Sequence, residues 1–251
     1  GSPGAANTAY RPNGGATFRE LSHFPIVPEP REPVTVQVVA QDPDGIAGLT
    51  LLYSVRGGRF QRVVMQGSSQ GWSGSIPGQE LGAKIQFYVE ALDGRGVRSW
   101  FPSEGEHSAA LIPVSDGQAD LDYGDCRPTN LRIVMKSNDI RRLHASENVM
   151  SNERLGCTII VDERDVYYGA GIRLKGSEHG RASDLRVGYN IRFPADHRFL
   201  GAHETITVDR SGAGDQFSQR EIMVKHAINH AGGIPGSYDD LIRVIAPRPQ
   251  H

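Results

Sequence analysis

The feature that most constrains this chain is a two-residue alternation of apolar side chains. Val34, Val36 and Val38 fall on one face of an extended segment, and the residues between them are polar. The segment 85–91 alternates in the same way, and turn-forming runs such as Asp42-Pro43-Asp44-Gly45 separate the apolar runs. Short strands at this spacing predict an all-β sandwich of the immunoglobulin or fibronectin type III class over residues 33–114.

The segments that flank the predicted sandwich differ from it in composition. Residues 1–32 are rich in Pro and Gly and lack a period, so we expect an extended lead-in without a core, with at most an edge strand near 24–26. Residues 115–130 form an acidic linker with few apolar groups. The aspartates of the linker are Asp116, Asp120, Asp122 and Asp125. This linker is the predicted boundary between two domains that each fold alone.

Residues 131–251 mix helical and extended patterns and therefore predict an α+β domain. Strands are expected at 131–135, 157–162, 168–175, 188–193, 203–208 and 241–245, and a first helix at 138–149. The clearest helix covers 217–231. Ser218 and Glu221 have the spacing of a capping box at its start, and Gly232-Gly233 ends its apolar stripe.

Charge and hydropathy exclude two classes of partner. The chain has 27 Lys and Arg against 29 Asp and Glu, so it has no overall cationic field for a nucleic-acid backbone. No run approaches the roughly 18 apolar residues of a spanning helix. We therefore expect no nucleic-acid partner and no membrane span.

Three short motifs suggest chemistry, but structural explanations are simpler. Gly67-Ser68-Ser69-Gln70-Gly71 fits the hydrolase pattern G-x-S-x-G, yet it joins two short strands, which favours a hairpin loop. His226 and His230 have metal-ligand spacing on the predicted helix but no third ligand, which favours solvated positions over zinc. Calcium binding by the linker aspartates, or by Asp42 with Asp44, stays open beside an ordinary linker and turn. We assign no catalytic residue and no metal ligand.

The two cysteines both fall after the predicted sandwich. Cys126 precedes one expected strand and Cys157 opens another. In an oxidising compartment these positions predict a disulfide between them, and the alternative is two buried thiols.

A local excess of positive charge lies between residues 171 and 199. Its basic residues are Arg173, Lys175, Arg181, Arg186, Arg192 and Arg198, and its acids are Glu178, Asp184 and Asp196. The run 176–180 is a glycine-bounded loop between two expected strands, where backbone N–H groups can approach a phosphate. A solvated basic strand face is the alternative.

The second domain resembles the spore coat protein H (CotH) kinase-like family in the order of its motifs. Ile172-Arg173-Leu174-Lys175-Gly176-Ser177 is similar to the family's strand that ends in a basic residue and Gly-Asn/Ser, and residues 186–193 are similar to the basic strand that follows. Arg220-Glu221 through Gly232-Gly233-Ile234-Pro235, and then Leu241-Ile242-Arg243-Val244, resemble the next helix and strand. The sandwich resembles the fibronectin-like domain that often precedes such a module in exported bacterial proteins.

The resemblance implies the small lobe of an atypical protein kinase that covers Mg·ATP. It assigns the phosphate or nucleotide contacts to Lys175, Gly176, Ser177 and Arg186, and it assigns Glu221 to orient the basic group, although Glu221 also fits a simple helix cap. Where the family has paired lysines, this chain has Arg186-Val187. We expect that the catalytic and metal-binding acids belong to a larger lobe of the parent protein, that this chain alone is inactive, and that it holds no cofactor itself.

Two functional hypotheses follow from the sequence. The first is a piece of an exported, extracellular or cell-surface bacterial protein whose parent phosphorylates exported protein substrates with ATP. The second is a non-enzymatic surface scaffold that binds glycans or other surface components, with Trp72, Trp100 and Tyr53 as contacts.

Overall fold

The structure is a computed structural model that describes residues 13–119, 128–176, 181, 187–209, 219–232 and 239–247. The strands of the first half are β1 (Thr17–Phe24), β2 (Val34–Gln41), β3 (Ile46–Val55), β4 (Gln61–Val64), β5 (Gln66–Ser68), β6 (Gly71–Ile76), β7 (Lys84–Asp93), β8 (Arg98–Phe101) and β9 (Leu111–Pro113). The second half contains β10 (Thr129–Val134), α1 (Ser137–His144), β11 (Leu155–Val161), β12 (Asp165–Lys175), β13 (Gly188–Arg192), β14 (Thr205–Val208), α2 (Gln219–His230) and β15 (Ile242–Ile245).

The first half is built from two β-sheets around one core. One sheet has the order β1-β2-β6-β5, and the other has the order β4-β3-β7-β8 with β9 also paired to β7. The alternating residues meet between the sheets, where Val36 and Phe87 are fully buried. The prediction of an all-β architecture for this half is confirmed, since an apolar face on each sheet can be buried only against the other.

Strand β1 corrects the prediction for residues 1–32. It pairs antiparallel with β2, and Phe18 and Leu21 pack against the sandwich core. The prediction of a lead-in without a core is therefore wrong for this segment. The two-residue period was hidden because the pairing register shifts between Arg19 and Ser22, and Glu20 has a left-handed backbone with φ of 58°. Such a bulge changes which side chains face inward.

The second half forms a mixed six-stranded sheet in the order β14-β13-β12-β11-β10-β15. β15 lies parallel to β10, and the other neighbours are antiparallel. One face of this sheet is covered in part by α1, through its buried Ile140 and Leu143. Helix α1 ends at His144, earlier than the predicted 149, and the charges of Arg141 and Arg142 in its last turn interact favourably with the helix dipole.

The opposite face of the second sheet packs partly against the sandwich. Leu111 of the sandwich contacts Val134 and Ile160, and all three are buried. The Thr158 hydroxyl donates a hydrogen bond of 2.6 Å to the carbonyl of Ala109 and accepts one of 2.9 Å from the amide of Leu111. We call this contact, formed by Ala109, Leu111, Val134, Thr158 and Ile160, the seam.

The described part of the acidic linker is attached to the second sheet by an ion pair. Arg132 on β10 lies 3.1 Å from Asp116 and 3.0 Å from Glu163, and its side chain is only 5% exposed. A buried guanidinium needs such partners because an unpaired buried charge is costly. Asp120, Asp122 and Asp125 lie outside the described residues. In the described parts of the chain, no helix is long and apolar enough to cross a membrane.

Candidate functional site

The residues assigned by the CotH resemblance are only partly described. Lys175 ends β12 and forms an ion pair of 2.5 Å with Asp209, which follows β14. Gly176 comes next with φ of 105°, a conformation that glycine adopts without a steric penalty. Glu221 lies in α2, and the surroundings of its side chain are outside the description. Ser177 and Arg186 also lie outside the described residues, so the structure brings together only Lys175 and Gly176.

Arg181 fixes the turn at Gly176 to the rest of the sheet. It is 7% exposed, and its guanidinium donates to the carbonyls of Gly176 at 2.8 Å and Ser151 at 3.0 Å. It also reaches the carbonyl of Val149 and the side chain of Asn152. The buried cation is satisfied by carbonyl oxygens, so its role at this turn is structural.

Three arginines converge on the open part of the second sheet, on the face that elsewhere packs against the sandwich. Arg192 on β13 lies opposite Gly171 on β12, and Arg173 lies opposite Asn190. A Cβ on Gly171 would lie 3.1 Å from the Cβ of Arg154, which shows that the Arg154 side chain crosses over this glycine. We call the group of Arg154, Arg173, Asn190 and Arg192 the arginine face.

Hydrogen bonds and charge define the arginine face further. Arg154 donates to the carbonyl of Asn190 at 3.1 Å and to its side-chain oxygen at 2.6 Å. Arg192 pairs with Glu204 at 2.6 Å, whereas Arg154 and Arg173 have no ion-pair partner among the described carboxylates. Burial lowers the pKa of the Arg154 guanidinium, and the nearby charges of Arg173 and Arg192 lower it further.

Part of this cluster could be predicted from the sequence. Arg173 and Arg192 lie on the predicted strands 168–175 and 188–193. Once the pairing register of these two strands is known, the alternation of side chains places both arginines on one face of the sheet. Arg154 precedes β11 and joins them only through the pairing of β11 with β12. Arg154 and Asn190 belong to no motif in the sequence that indicates such a cluster.

The three aromatic residues suggested for glycan contact have different environments. Trp100 on β8 is 45% exposed, on the face of its sheet that points away from the core. Trp72 is half-buried against the sandwich core, and its ring lies over Gly67. Tyr53 is buried in the core, and its hydroxyl donates to Gln61. The suggestion of Tyr53 as a surface contact is therefore wrong, because it shares the inward face of β3 with Leu49 and Leu51.

Trp100 belongs to a polar and aromatic patch organised by Glu90. The Glu90 carboxylate accepts hydrogen bonds from Arg98 at 2.7 Å, Arg62 at 2.9 Å and the Trp100 ring nitrogen at 3.2 Å. Burial raises the pKa of Glu90, but these donors outweigh burial and bring it below its usual range. The neighbouring Tyr88 packs edge-on against Phe60. We call Phe60, Arg62, Tyr88, Glu90, Arg98 and Trp100 the aromatic patch.

Asp42 and Asp44 are joined by Asp93 at the end of β7. One oxygen from each carboxylate lies within 4.8 Å of the others. These oxygens already have partners: Arg95 pairs with Asp44 at 3.0 Å, and Asp93 accepts hydrogen bonds from the amides of Arg95 and Val97. The amide donors account for the low pKa of Asp93 against the opposing effect of burial. These contacts join the two turns, and calcium binding by Asp42 with Asp44 stays a hypothesis beside an ordinary turn.

The described contacts of the serine loop, the histidine pair and Cys157 are those of ordinary structural residues. Ser69 lies at the tip of the hairpin between β5 and β6, as expected from the sequence. His230 hydrogen-bonds through Nδ1 to the carbonyl of His226, one turn earlier in α2. Cys157 is a buried free thiol whose pKa is raised by burial. Cys126 lies outside the described residues, so its pairing with Cys157 stays a prediction.

A buried histidine connects β1 to the second sheet and was not anticipated. The Nε2 of His23 donates to the carbonyl of Ile26 at 2.8 Å, so its Nδ1 accepts from the Tyr168 hydroxyl on β12. Both rings also pack against Phe87 in the sandwich core. Burial lowers the pKa of His23 to about 4 and raises the pKa of Tyr168.

Comparisons with known proteins give little further information. No family model matches the chain, and no curated protein matches it. Among solved structures, BhCBM56 is similar with 11% identity and a TM-score of 0.25, over 42% of this chain and 95% of that one. A cycloalternan-forming enzyme from Listeria monocytogenes, bound to a pentasaccharide substrate, is 12% identical with a TM-score of 0.30 over 77% of this chain.

An uncharacterised protein of Listeria monocytogenes, solved with glucose, magnesium and calcium, is 8% identical with a TM-score of 0.30 over 77% of this chain. The present chain spans only 15% of the length of the cycloalternan-forming enzyme and 16% of that protein. TM-scores this low support no conclusion about this chain, so its function has to be argued from its own side chains.

Proposed function

We propose that the second sheet belongs to a kinase-like small lobe of the CotH kind, in an exported bacterial protein. The observation that supports this most directly is the placement of Lys175 at the end of β12, beside the left-handed Gly176. β13, α2 and β15 then follow in the order of the family's motifs. In this proposal Lys175 supplies a positive charge and the loop that follows Gly176 contributes backbone N–H groups, which together suit contact with a phosphate group.

In this proposal the parent protein transfers the γ-phosphate of ATP, with Mg²⁺, to exported protein substrates. In the family, Mg²⁺ is held by acids of the larger lobe, and its chemistry is to neutralise charge on the phosphates. Residues 1–251 contribute only contacts to the phosphate groups of the nucleotide. Lys175 is already paired with Asp209 at the surface. A charge pair in water at about 4 Å is worth about 1 kcal/mol, so a few such contacts to phosphate amount to about 4 kcal/mol at most. We therefore expect this chain to bind Mg·ATP with a dissociation constant of about 1 mM or weaker.

An NMR titration of the 251-residue chain with Mg·ATP tests this proposal. Amide shifts should change first at Lys175 and Gly176, with saturation only above millimolar concentration. Lys175→Ala should abolish the change, and Arg31→Ala, which removes an exposed arginine of the sandwich, should not. Shifts confined to the sandwich, or shifts at Lys175 and Gly176 that Lys175→Ala leaves unchanged, would refute the proposal. Binding tighter than about 100 µM would show that the chain holds more of the nucleotide site than we propose.

A second candidate function is glycan binding by the sandwich, which the aromatic patch favours. Trp100 presents an exposed ring, and its ring nitrogen is fixed by Glu90. Exposed aromatic rings stack on sugar faces, and charged side chains around them can hydrogen-bond to hydroxyl groups. Arg62 and Arg98 are held beside the ring by the same carboxylate.

Affinity electrophoresis in gels that contain soluble neutral glucans tests the second candidate. Migration of the wild-type chain should be retarded, and Trp100→Ala should remove the retardation. Leu81→Ala, at an exposed leucine elsewhere on the sandwich, is the control that should behave as wild type. Equal migration of wild type and Trp100→Ala in every glucan would exclude this role for the patch.

A further inference from the structure

The arginine face is a cluster of like charges that the fold holds together. The Arg154 side chain lies over Gly171. Gly171 is the register partner of Arg192, and Arg173 lies two residues further along β12. Like charges repel one another, so an anion between these side chains would be favoured. Its only described counter-charge is Glu204, which pairs with Arg192.

The geometry of the cluster suits one type of anion. A guanidinium presents a planar set of N–H donors that matches two oxygens of a phosphate or sulfate group. Arg154 is oriented by its two hydrogen bonds to Asn190, so part of the entropy cost of ordering this side chain has already been met. Thr205 and Thr207 on β14 extend the same face with exposed hydroxyl groups, opposite Arg192 and Asn190 respectively. A ligand here would meet donors from three adjacent strands and from the residue that precedes β11.

We propose that the arginine face is a binding site for a tetrahedral oxyanion, such as the phosphate or sulfate group of an ester. The site uses residues other than Lys175 and Gly176, and it does not rest on the proposed kinase-like function. The sandwich covers the neighbouring part of this sheet face through Thr158 and Ile160, so the approach is restricted to the side of β13 and β14.

Titrations of the full chain with inorganic pyrophosphate, sulfate and acetate test the proposal at low ionic strength. Pyrophosphate should saturate and shift the amides of residues 171–173 and 190–192 in NMR spectra. Arg173→Gln should raise the dissociation constant at least tenfold. Arg173→Lys, which keeps the charge but not the planar donors, should have an intermediate effect. Arg31→Gln, at an exposed arginine of the sandwich, is the matched control and should stay within about twofold of wild type.

The outcomes separate the sources of the anion and can overturn the proposal. A dissociation constant for sulfate within about tenfold of that for pyrophosphate would indicate sulfate esters as well as phosphate esters, because pyrophosphate carries more negative charge, and a larger preference for pyrophosphate would indicate phosphate alone. Equal binding of acetate, no saturation up to about 20 mM, or affinities unchanged by both Arg173→Gln and Arg192→Gln would refute the site. Dispersed amide spectra show whether each variant is folded. If Arg173→Gln does not fold, Arg192→Gln tests the site at a more exposed position.

Failure here can be distinguished from failure of the kinase-like proposal. That proposal requires amide shifts at Lys175 and Gly176 on addition of Mg·ATP, and these shifts must be lost in Lys175→Ala. The arginine face requires pyrophosphate binding that depends on Arg173 and Arg192.

Discussion

Acidification is expected to destabilise the folded chain through His23. This side chain is 3% exposed and is neutral in the folded state, with the proton on Nε2 because Nε2 donates to a carbonyl. A second proton on Nδ1 would displace the hydrogen bond from the Tyr168 hydroxyl and place a charge beside Phe87. The cost of that charge is the physical cause of the low pKa, about 4, in the folded protein.

The size of the effect follows from the difference between folded and unfolded pKa values. The unfolded chain binds a proton at His23 near pH 6.5, and the folded chain does so only near pH 4. Between these values the unfolded state binds more protons, so the free energy of unfolding falls as the pH falls. Relative to pH 7.5, the loss from this residue is about 2 kcal/mol at pH 5 and about 3 kcal/mol at pH 4.

Urea unfolding of wild type and His23→Gln at pH 7.5, 6 and 5 measures this loss. Glutamine can keep a hydrogen bond at this position but cannot be protonated in this range. The wild-type chain should lose about 2 kcal/mol more than the variant between pH 7.5 and 5, because other titrating groups affect both proteins equally. Identical pH dependence of the two proteins would show that His23 is not a buried neutral group in solution.

Three further predictions concern the seam, the buried ion pairs and the thiol. Ile160→Ala should lower the free energy of unfolding by 2–5 kcal/mol in urea titrations, by the usual cost of a large buried deletion, and Val64→Ala at an exposed position should cost well under 1 kcal/mol. Arg132→Ala should cost about 3–5 kcal/mol in the same assay because it leaves two carboxylates without their buried partner, whereas Arg31→Ala removes an exposed pair worth less than about 1 kcal/mol. Cys157 should react with a thiol reagent at pH 8 only after unfolding, and peptide mapping that finds rapid labelling of Cys157 in the folded chain would contradict its burial.

The sandwich strands could be predicted from the sequence because each has one buried and one exposed face. Apolar residues at every second position, such as Val34, Val36 and Val38, indicate the buried face of a strand. It also places Tyr53 inward with Leu51, a consequence that the glycan hypothesis overlooked. Strand β1 could not be found in this way, because its bulge interrupts the period.

The candidate sites were less predictable because they depend on pairing between distant segments. Asp93 is about 50 residues from Asp42 and Asp44 in the sequence, and the three carboxylates come together only when β3 pairs with β7. Arg154 reaches Arg192 only after β11, β12 and β13 have aligned. A single sequence contains the charges of such clusters but not the register that assembles them.

The seam connects these observations, because it determines which part of the second sheet remains open. Thr158 and Ile160 on β11 share one sheet face with Arg173 and Arg192, yet the first two are buried against the sandwich. Tyr168 on β12 is fixed to His23 on β1, so the strand that the sequence analysis assigned to the lead-in also anchors the second sheet. The position of the arginine face at the edge of the covered region is therefore set by the sandwich. The linker at 115–130 is only one of the connections between the two halves, and the side chains of the seam hold them in a defined orientation.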